Sequence, residues 1–347
     1  MLAAMAAAVA AVLTPCWTRR LRINDRSLAV VRQVGEGGYS VVYACRLEAG
    51  PEPEGVGFAV KQMLVASPEG REAARAEIEA HLHFRRCARI APLLDYTFTP
   101  AGDGAERVLL LLPLYTRGSL ADVLARGTVG EGPFFPEAAA LRLAVQIGEG
   151  LAALAAHVPP LAHRDVCPRN IMLDDAGDAV LIDLGSVAPA SPPLATRGDA
   201  ARLRDTAAAH SSQPYRAPEL WEPEVGGAPV DGRTDVWSLG ATLYALVFGL
   251  SPFESSCRAD GRLRLDDCTH LRVISDVTFP SYPPSSPALR GAISWMLTLS
   301  AVARPTMAAV LPRLRALAAA AGAPAAATIV DDSGADFNPF ARPAGTS

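Results

Sequence analysis

The sequence predicts an α+β fold in which a small strand-rich part precedes a larger helical part. Two observations carry this. Between about Asn24 and Pro113, short β-prone runs are punctuated by Gly and Pro. Beyond Pro113, apolar residues recur at the spacing of one helix face. No internal repeat divides the chain.

Val30 to Val34, Val41 to Leu47 and Phe58 to Leu64 read as three strands joined as hairpins, with a turn-rich loop from Gly50 to Gly57 between the last two. Glu69 to Arg86 is rich in Ala, Glu and Arg and has neither Gly nor Pro after position 70, which suits an exposed helix. Strands resume near Leu93 to Phe98 and Val108 to Leu112. Pro136 to His157 reads as a helix, with Pro136 in its first turn and Leu143, Ile147, Leu151 and Leu154 on one buried face. The mostly apolar run Asp235 to Phe248 predicts a helix enclosed on most sides. The expected division is a leader over 1–23, a folded domain over 24–317 with halves 24–113 and 116–317, and a tail over 318–347.

Composition narrows the function classes. Half of the 347 residues are apolar, enough to bury a sizeable core, although alanine runs inflate that fraction. A formal charge of -4 leaves no excess of Lys and Arg to neutralise a run of phosphates, so nucleic acid is not an expected partner. The six cysteines lack paired C-x-x-C spacing and the density of a secreted disulfide scaffold, and read as reduced intracellular thiols. Met1 to Leu13 is apolar but shorter than the roughly 20 residues of a spanning helix. Two readings stay open there: a disordered leader or misassigned start, and a peripheral membrane contact through Arg19 to Arg22 and an acylated Cys16. The C-terminal stretch of Ala, Gly and Pro, then Asp331, Asp332 and Asp336, has the composition of a disordered tail. Its Asn338-Pro339-Phe340 tripeptide resembles a ligand of endocytic adaptor domains.

Several segments carry chemistry. Gly35-Glu36-Gly37-Gly38-Tyr39-Ser40-Val41-Val42 lies between two expected strands, where glycines let backbone amides approach phosphate oxygens. Phe58-Ala59-Val60-Lys61 follows on the next strand, and a lysine among apolar neighbours needs a partner, for which Glu77 on the intervening helix is suited. His163-Arg164-Asp165-Val166-Cys167-Pro168-Arg169-Asn170 has the context of a catalytic loop, in which Asp165 orients and deprotonates a hydroxyl and Asn170 ligates a cation. Asp183-Leu184-Gly185 follows a short strand and offers a second hard oxygen donor of the kind Mg²⁺ requires. Ala217-Pro218-Glu219 closes the segment opened by Asp183. Glu219 is a candidate partner for Arg304, and Asp235 for the catalytic-loop backbone.

With these motifs in order, about Asn24 to Leu317 resembles the eukaryotic protein kinase domain. Gly35 to Ser40, Asp183 to Ser186, Tyr215 to Glu219 and Arg233 to Gly240 are similar to the Numb-associated kinases, and within them to the myristoylated and palmitoylated serine/threonine branch. The resemblance implies a bilobal fold, ATP and Mg²⁺ as cofactors, protein substrates with serine or threonine acceptors, and a setting at Golgi or vesicle membranes. The acylated N-terminal glycine of that branch is absent. By the same resemblance Gly35, Glu36, Gly37, Gly38 and Val42 cover the nucleotide. Ala59, Leu112 as gatekeeper, Pro113 to Tyr115 as hinge and Met172 as floor line the adenine, and Lys61 holds phosphates. Ser212 takes the place of a hydroxyl that bonds the catalytic aspartate, and with Pro168 follows the serine/threonine pattern.

One departure stands out. Serine/threonine kinases carry a lysine two residues after the catalytic aspartate, where this chain has Cys167. Arg169 occupies the place of a compensating arginine in tyrosine kinases, so reduced but real activity is expected. A nucleotide-binding pseudokinase scaffold and a small-molecule kinase are the competing readings. Thr196, Thr206, Ser211 and Ser212 are candidate regulatory phosphosites.

Overall fold

The computed structural model describes residues 19–37, 40–48, 57–129 and 134–322. The leader through residue 18 with Cys16, the hairpin-tip residues Gly38 and Tyr39, most of the Gly50–Gly57 loop, and the tail with Asn338-Pro339-Phe340 lie outside them. The chain divides into two compact units, one running to Arg86 and including Ala91–Leu114, the other comprising Cys87–Ile90 and everything from Tyr115.

The first unit is a six-stranded antiparallel sheet: β1 (Arg20–Ile23), β2 (Arg26–Glu36), β3 (Ser40–Leu47), β4 (Phe58–Val65), β5 (Asp95–Gly102) and β6 (Ala105–Pro113), in the order β1-β2-β3-β4-β6-β5. The continuous apolar run Val108 to Leu111 reflects burial on both faces, since strand side chains alternate. Leu109 and Leu111 join Leu21, Ile23, Leu28, Val30, Tyr43, Cys45 and Val60, while Val108 and Leu110 join Met63, Val65, Leu93 and residues of the helix Pro68–His83. That helix starts where Ser67 caps it through its hydroxyl, which accepts from the Gly70 amide at 3.1 Å, with Pro68 in the first turn. It turns Ala74 and Ile78 onto the sheet.

The boundaries of the first unit differ from those expected. The sheet begins at Arg20 rather than Asn24, because Arg20–Ile23 pairs antiparallel with Arg26–Ala29. Cys87–Ile90, expected within the first half, belongs to the second unit. Arg89 is the reason: its guanidinium bonds Glu149 at 3.1 Å and Asp178 at 2.9 Å, and its carbonyl accepts from the Leu181 amide at 2.8 Å.

The second unit is helical, with short two-stranded ladders. The helix Glu137–Ala155 is preceded by Pro136 as its cap, one position before the expected first-turn placement. By length and composition it is the one described helix apolar enough to cross a membrane, but most of it is buried against the helices Met307–Ala320 and Arg233–Phe248, as a core helix is. In Arg233–Phe248 every residue from Thr234 onward is buried, so the expected enclosed helix is found. The helix Met307–Ala320 carries the folded region past the expected end at Leu317.

The partnership expected between Glu219 and Arg304 is present and bidentate, at 2.6 and 3.0 Å, with Arg304 also bonded to the carbonyls of Thr298, Arg233 and Leu299. Both side chains are buried. Removing one partner strands the other charge in a desolvated site, so Glu219→Ala should lower unfolding stability by about 3–5 kcal/mol. A change below about 1 kcal/mol in denaturant titration would show that the pair is not holding this region.

Candidate active site

In the first unit the glycine-rich hairpin forms as expected. Gly35 pairs with Val42 and Glu36 with Val41, and the Gly37 amide donates to the Ser40 carbonyl at 2.7 Å. A Cβ at Gly35 would meet only Val42, at ordinary contact distance, so the hairpin itself does not require glycine there.

Val42, Lys61 and Leu110 form one cross-strand row, and Ala59 and Leu112 pair in the next but one, so all lie on the face that carries the helix Pro68–His83. Lys61 Nζ meets Glu77 Oε1 at 2.7 Å with both residues buried. A buried ammonium is tolerated there because the carboxylate matches it. Strand β6 ends at Pro113, and the division between units falls after Leu114, so Leu112 and Pro113 belong to the first unit and Tyr115 to the second. Burial, helped by the charge of Asp174, pushes the Tyr115 phenol up to about 12.

The second unit holds the loop expected to be catalytic, His163 to Asn170. Asp235, within the buried helix, accepts from the backbone amides of His163 at 2.7 Å and Arg164 at 2.8 Å. Burial raises its pKa despite these bonds and the nearby cations. Arg164 has φ +65° and donates to the Pro189 carbonyl at 2.6 Å. The loop therefore emerges bent and pinned, with Asp165 at its turn. One oxygen of Asp165 accepts from the Ser212 amide at 2.7 Å and the other from Asn170 Nδ2 at 2.7 Å. The same Asn170 nitrogen bonds the Asp165 carbonyl at 2.9 Å.

Asn170 and Asp183 stand at one end of a single ladder. The strand Ile171–Leu173 follows Asn170 and pairs with Ala179–Leu181, Met172 facing Val180, and the Ile182 amide donates to the Asn170 carbonyl at 3.0 Å. Asp183 follows with φ +60°, an uncommon conformation outside glycine, its carboxylate 3.4 Å from the Gly185 amide. With Nδ2 of Asn170 committed to Asp165, its Oδ1 and the Asp183 carboxylate are the hard oxygen donors at this end. Among the described residues no group of three or more His, Cys, Asp or Glu is placed to hold a metal. Mg²⁺ does not need one, since it is commonly bound by one or two protein oxygens plus substrate phosphates and water. The residues present fit it.

Three features depart from the sequence reading. Ser212 bonds Asp165 through its backbone amide, not its hydroxyl, because the hydroxyl is turned away to Cys167 Sγ at 3.2 Å and accepts from Arg169 Nη2 at 3.2 Å. Of the four candidate phosphosites, Thr196 caps the helix Arg197–His210 and Ser211 bonds Ala207 and Arg216, leaving Thr206 exposed on that helix. A polar network goes unrecognised in sequence: Asp178 accepts from Arg89, Arg142 and Gln146. Arg142 and Gln146, four residues apart on an otherwise apolar helix face, are the signal that could have revealed it.

Comparisons with known proteins agree with this geometry. The protein kinase domain family matches residues 28–313. Serine/threonine-protein kinase 16 of Mus musculus is 35% identical over 305 residues, covering 88% of this chain and 95% of that protein. Serine/threonine-protein kinase ENV7 of Saccharomyces cerevisiae is 27% identical, covering 86% and 93%. The yeast actin-regulating kinase PRK1 is 26% identical, covering 86% of this chain but 35% of its own length. With the catalytic loop, the Lys61–Glu77 pair and the Asn170–Asp183 ladder all within the matched span, the chain belongs to the protein kinase domain family.

Proposed function

We propose that this chain is a serine/threonine protein kinase that transfers the γ-phosphoryl group of ATP to protein hydroxyls. The observation that carries this is the Asp165 carboxylate, fixed between the Ser212 amide and Asn170 at 2.7 Å each on a loop anchored to Asp235. A carboxylate so held keeps lone pairs directed at one place and can receive a hydroxyl proton. As the acceptor oxygen bonds the γ-phosphorus and ADP departs, Asp165 takes that proton. Lys61, aligned by Glu77, supports the α and β phosphates, and Asn170 Oδ1 with Asp183 would hold Mg²⁺. Bound there, Mg²⁺ supplies positive charge against the phosphate oxygens. The resemblance assigns the glycine-rich hairpin to the phosphates and Val42, Ala59, Leu112, Pro113, Tyr115 and Met172 to the base. Serine and threonine are favoured as acceptors by Pro168 and by the names of the relatives at 34–35% identity. The pseudokinase alternative finds no support.

Arg169 is exposed and reaches the Ser212 hydroxyl, one residue before Asn170. It stands in for the positive charge lost where Cys167 replaces lysine. The finer placement, among the Numb-associated kinases with a role in trafficking at Golgi or vesicle membranes, rests on the motif resemblance and extends the proposal to a peripheral membrane contact through Cys16 and Arg19 to Arg22.

Incubation with γ-labelled ATP, Mg²⁺ and a generic protein acceptor should yield phosphoserine or phosphothreonine, and Asp165→Asn should abolish the label while ATP binding persists. Undiminished labelling by that variant rules out the assignment. Arg169→Ala should lower kcat by about 100-fold, the lower end of the range for a lost electrostatic contact to the migrating group, and unchanged turnover would remove Arg169 from the mechanism. In cell fractionation the parent chain should sediment with membranes and Cys16→Ser should shift to the soluble fraction. Identical distributions would end the acylation proposal.

A further inference from the structure

Cys167 stands where the resemblance expects a lysine. Its surroundings assign it more. The side chain is 1% exposed, and its sulfur lies 3.2 Å from the Ser212 hydroxyl, which donates to it. The same hydroxyl accepts from Arg169 Nη2 at 3.2 Å. Two bonds thus fix the Ser212 side-chain rotamer, and Ser212 is the residue whose backbone amide binds Asp165 at 2.7 Å.

We propose that Cys167 is a positioning residue of the catalytic loop: by accepting the Ser212 hydroxyl it holds Ser212 where its amide aligns the Asp165 carboxylate. The inference rests on the reading of Asp165 as the base.

The chemistry of sulfur suits the position. Burial, with the neighbouring Asp165 charge second, pushes the Cys167 thiol up to about 11, so it is neutral at physiological pH. A neutral thiol accepts a weak hydrogen bond without setting a second negative charge beside Asp165. It is also small enough to be enclosed with Ser212, itself 8% exposed. The positive charge that lysine brings elsewhere is displaced to Arg169, which approaches the same hydroxyl from the exposed side. Cys167, Ser212 and Arg169 therefore form one connected unit around a single oxygen.

The test is a steady-state comparison of the full chain with Cys167→Ser, Cys167→Val, Cys167→Ala, Ser212→Ala and the double variant Cys167→Val/Ser212→Ala, with Asp165→Asn in parallel. All are assayed at a temperature at which circular dichroism shows them folded. Serine retains an acceptor, and C167S should keep kcat within about twofold. Valine fills similar space without one, and alanine guards against strain from valine. C167V and C167A should both lower kcat by about fivefold, the scale of one modest hydrogen bond, with KM for ATP unchanged. Because Cys167 acts through Ser212, the double variant should be no slower than S212A alone.

The inference is overturned if C167V and C167A turn over like the parent, if C167S is as slow as C167V, or if the C167V and S212A effects multiply. If D165N itself keeps the label, the reading of the site has failed. If D165N is inactive and the Cys167 variants are unimpaired, only this inference has failed.

Discussion

Two hydrogen bonds to one buried carboxylate hold the loop that carries the candidate site of the second unit. Asp235 lies in a helix whose residues are buried from Thr234 to Phe248, and it accepts the amides of His163 and Arg164 at 2.7 and 2.8 Å. Backbone amides that turn away from regular structure must find acceptors. Here the acceptor lies in a buried helix, so the loop between the two-residue strand at Leu161–Ala162 and the ladder beginning at Ile171 is held at His163 and Arg164. Arg164 takes a positive φ there. Asp165 then falls within reach of both Ser212 and Asn170.

The first unit solves a separate problem, that of keeping an ammonium charged inside a sheet. Lys61 stands on β4 between Val42 and Leu110 in the cross-strand row, among groups that cannot solvate it. The helix Pro68–His83 brings Glu77 to 2.7 Å by burying Ala74 and Ile78 on the same sheet face. Hydrophobic packing thereby places the ion pair, and the pair lets that packing include a charge. The Arg89 contacts show a comparable arrangement in the second unit, where Asp178 is shared by Arg89 and by Arg142 and Gln146 of the helix Glu137–Ala155. Burial alone would raise the Asp178 pKa, yet these bonds lower it, so their contribution is present at neutral pH and is lost as pH falls through the lowered value.

The parts of this arrangement that were legible in sequence are those in which residue type and local order dictate structure. Alternation and glycine point to the strands, helical spacing to Glu137–Ala155, and the order of Lys61, Asp165, Asn170 and Asp183 to the protein kinase domain family that matches the chain. The pairings of Glu77 with Lys61, Glu219 with Arg304 and Asp235 with the loop backbone were also readable, because buried charges require partners and few candidates exist. What escaped depends on direction rather than identity. Nothing in the sequence states that Ser212 offers Asp165 its amide while turning its hydroxyl to sulfur. Strand β1 was missed because Arg20–Ile23 alternates arginine with apolar residues in a stretch too short to stand out beside the apolar leader. The placement of Cys87–Ile90 was missed because it rests on the long-range partners of Arg89.

In the proposed mechanism Asp183 and Asn170 grip the nucleotide through a divalent cation. Calorimetric titration with a non-hydrolysable ATP analogue, with and without Mg²⁺, addresses it without requiring turnover. Mg²⁺ should tighten binding to the parent chain, and Asp183→Asn should lose most of that gain while keeping its metal-free affinity. A variant that responds to Mg²⁺ as fully as the parent would contradict the claim.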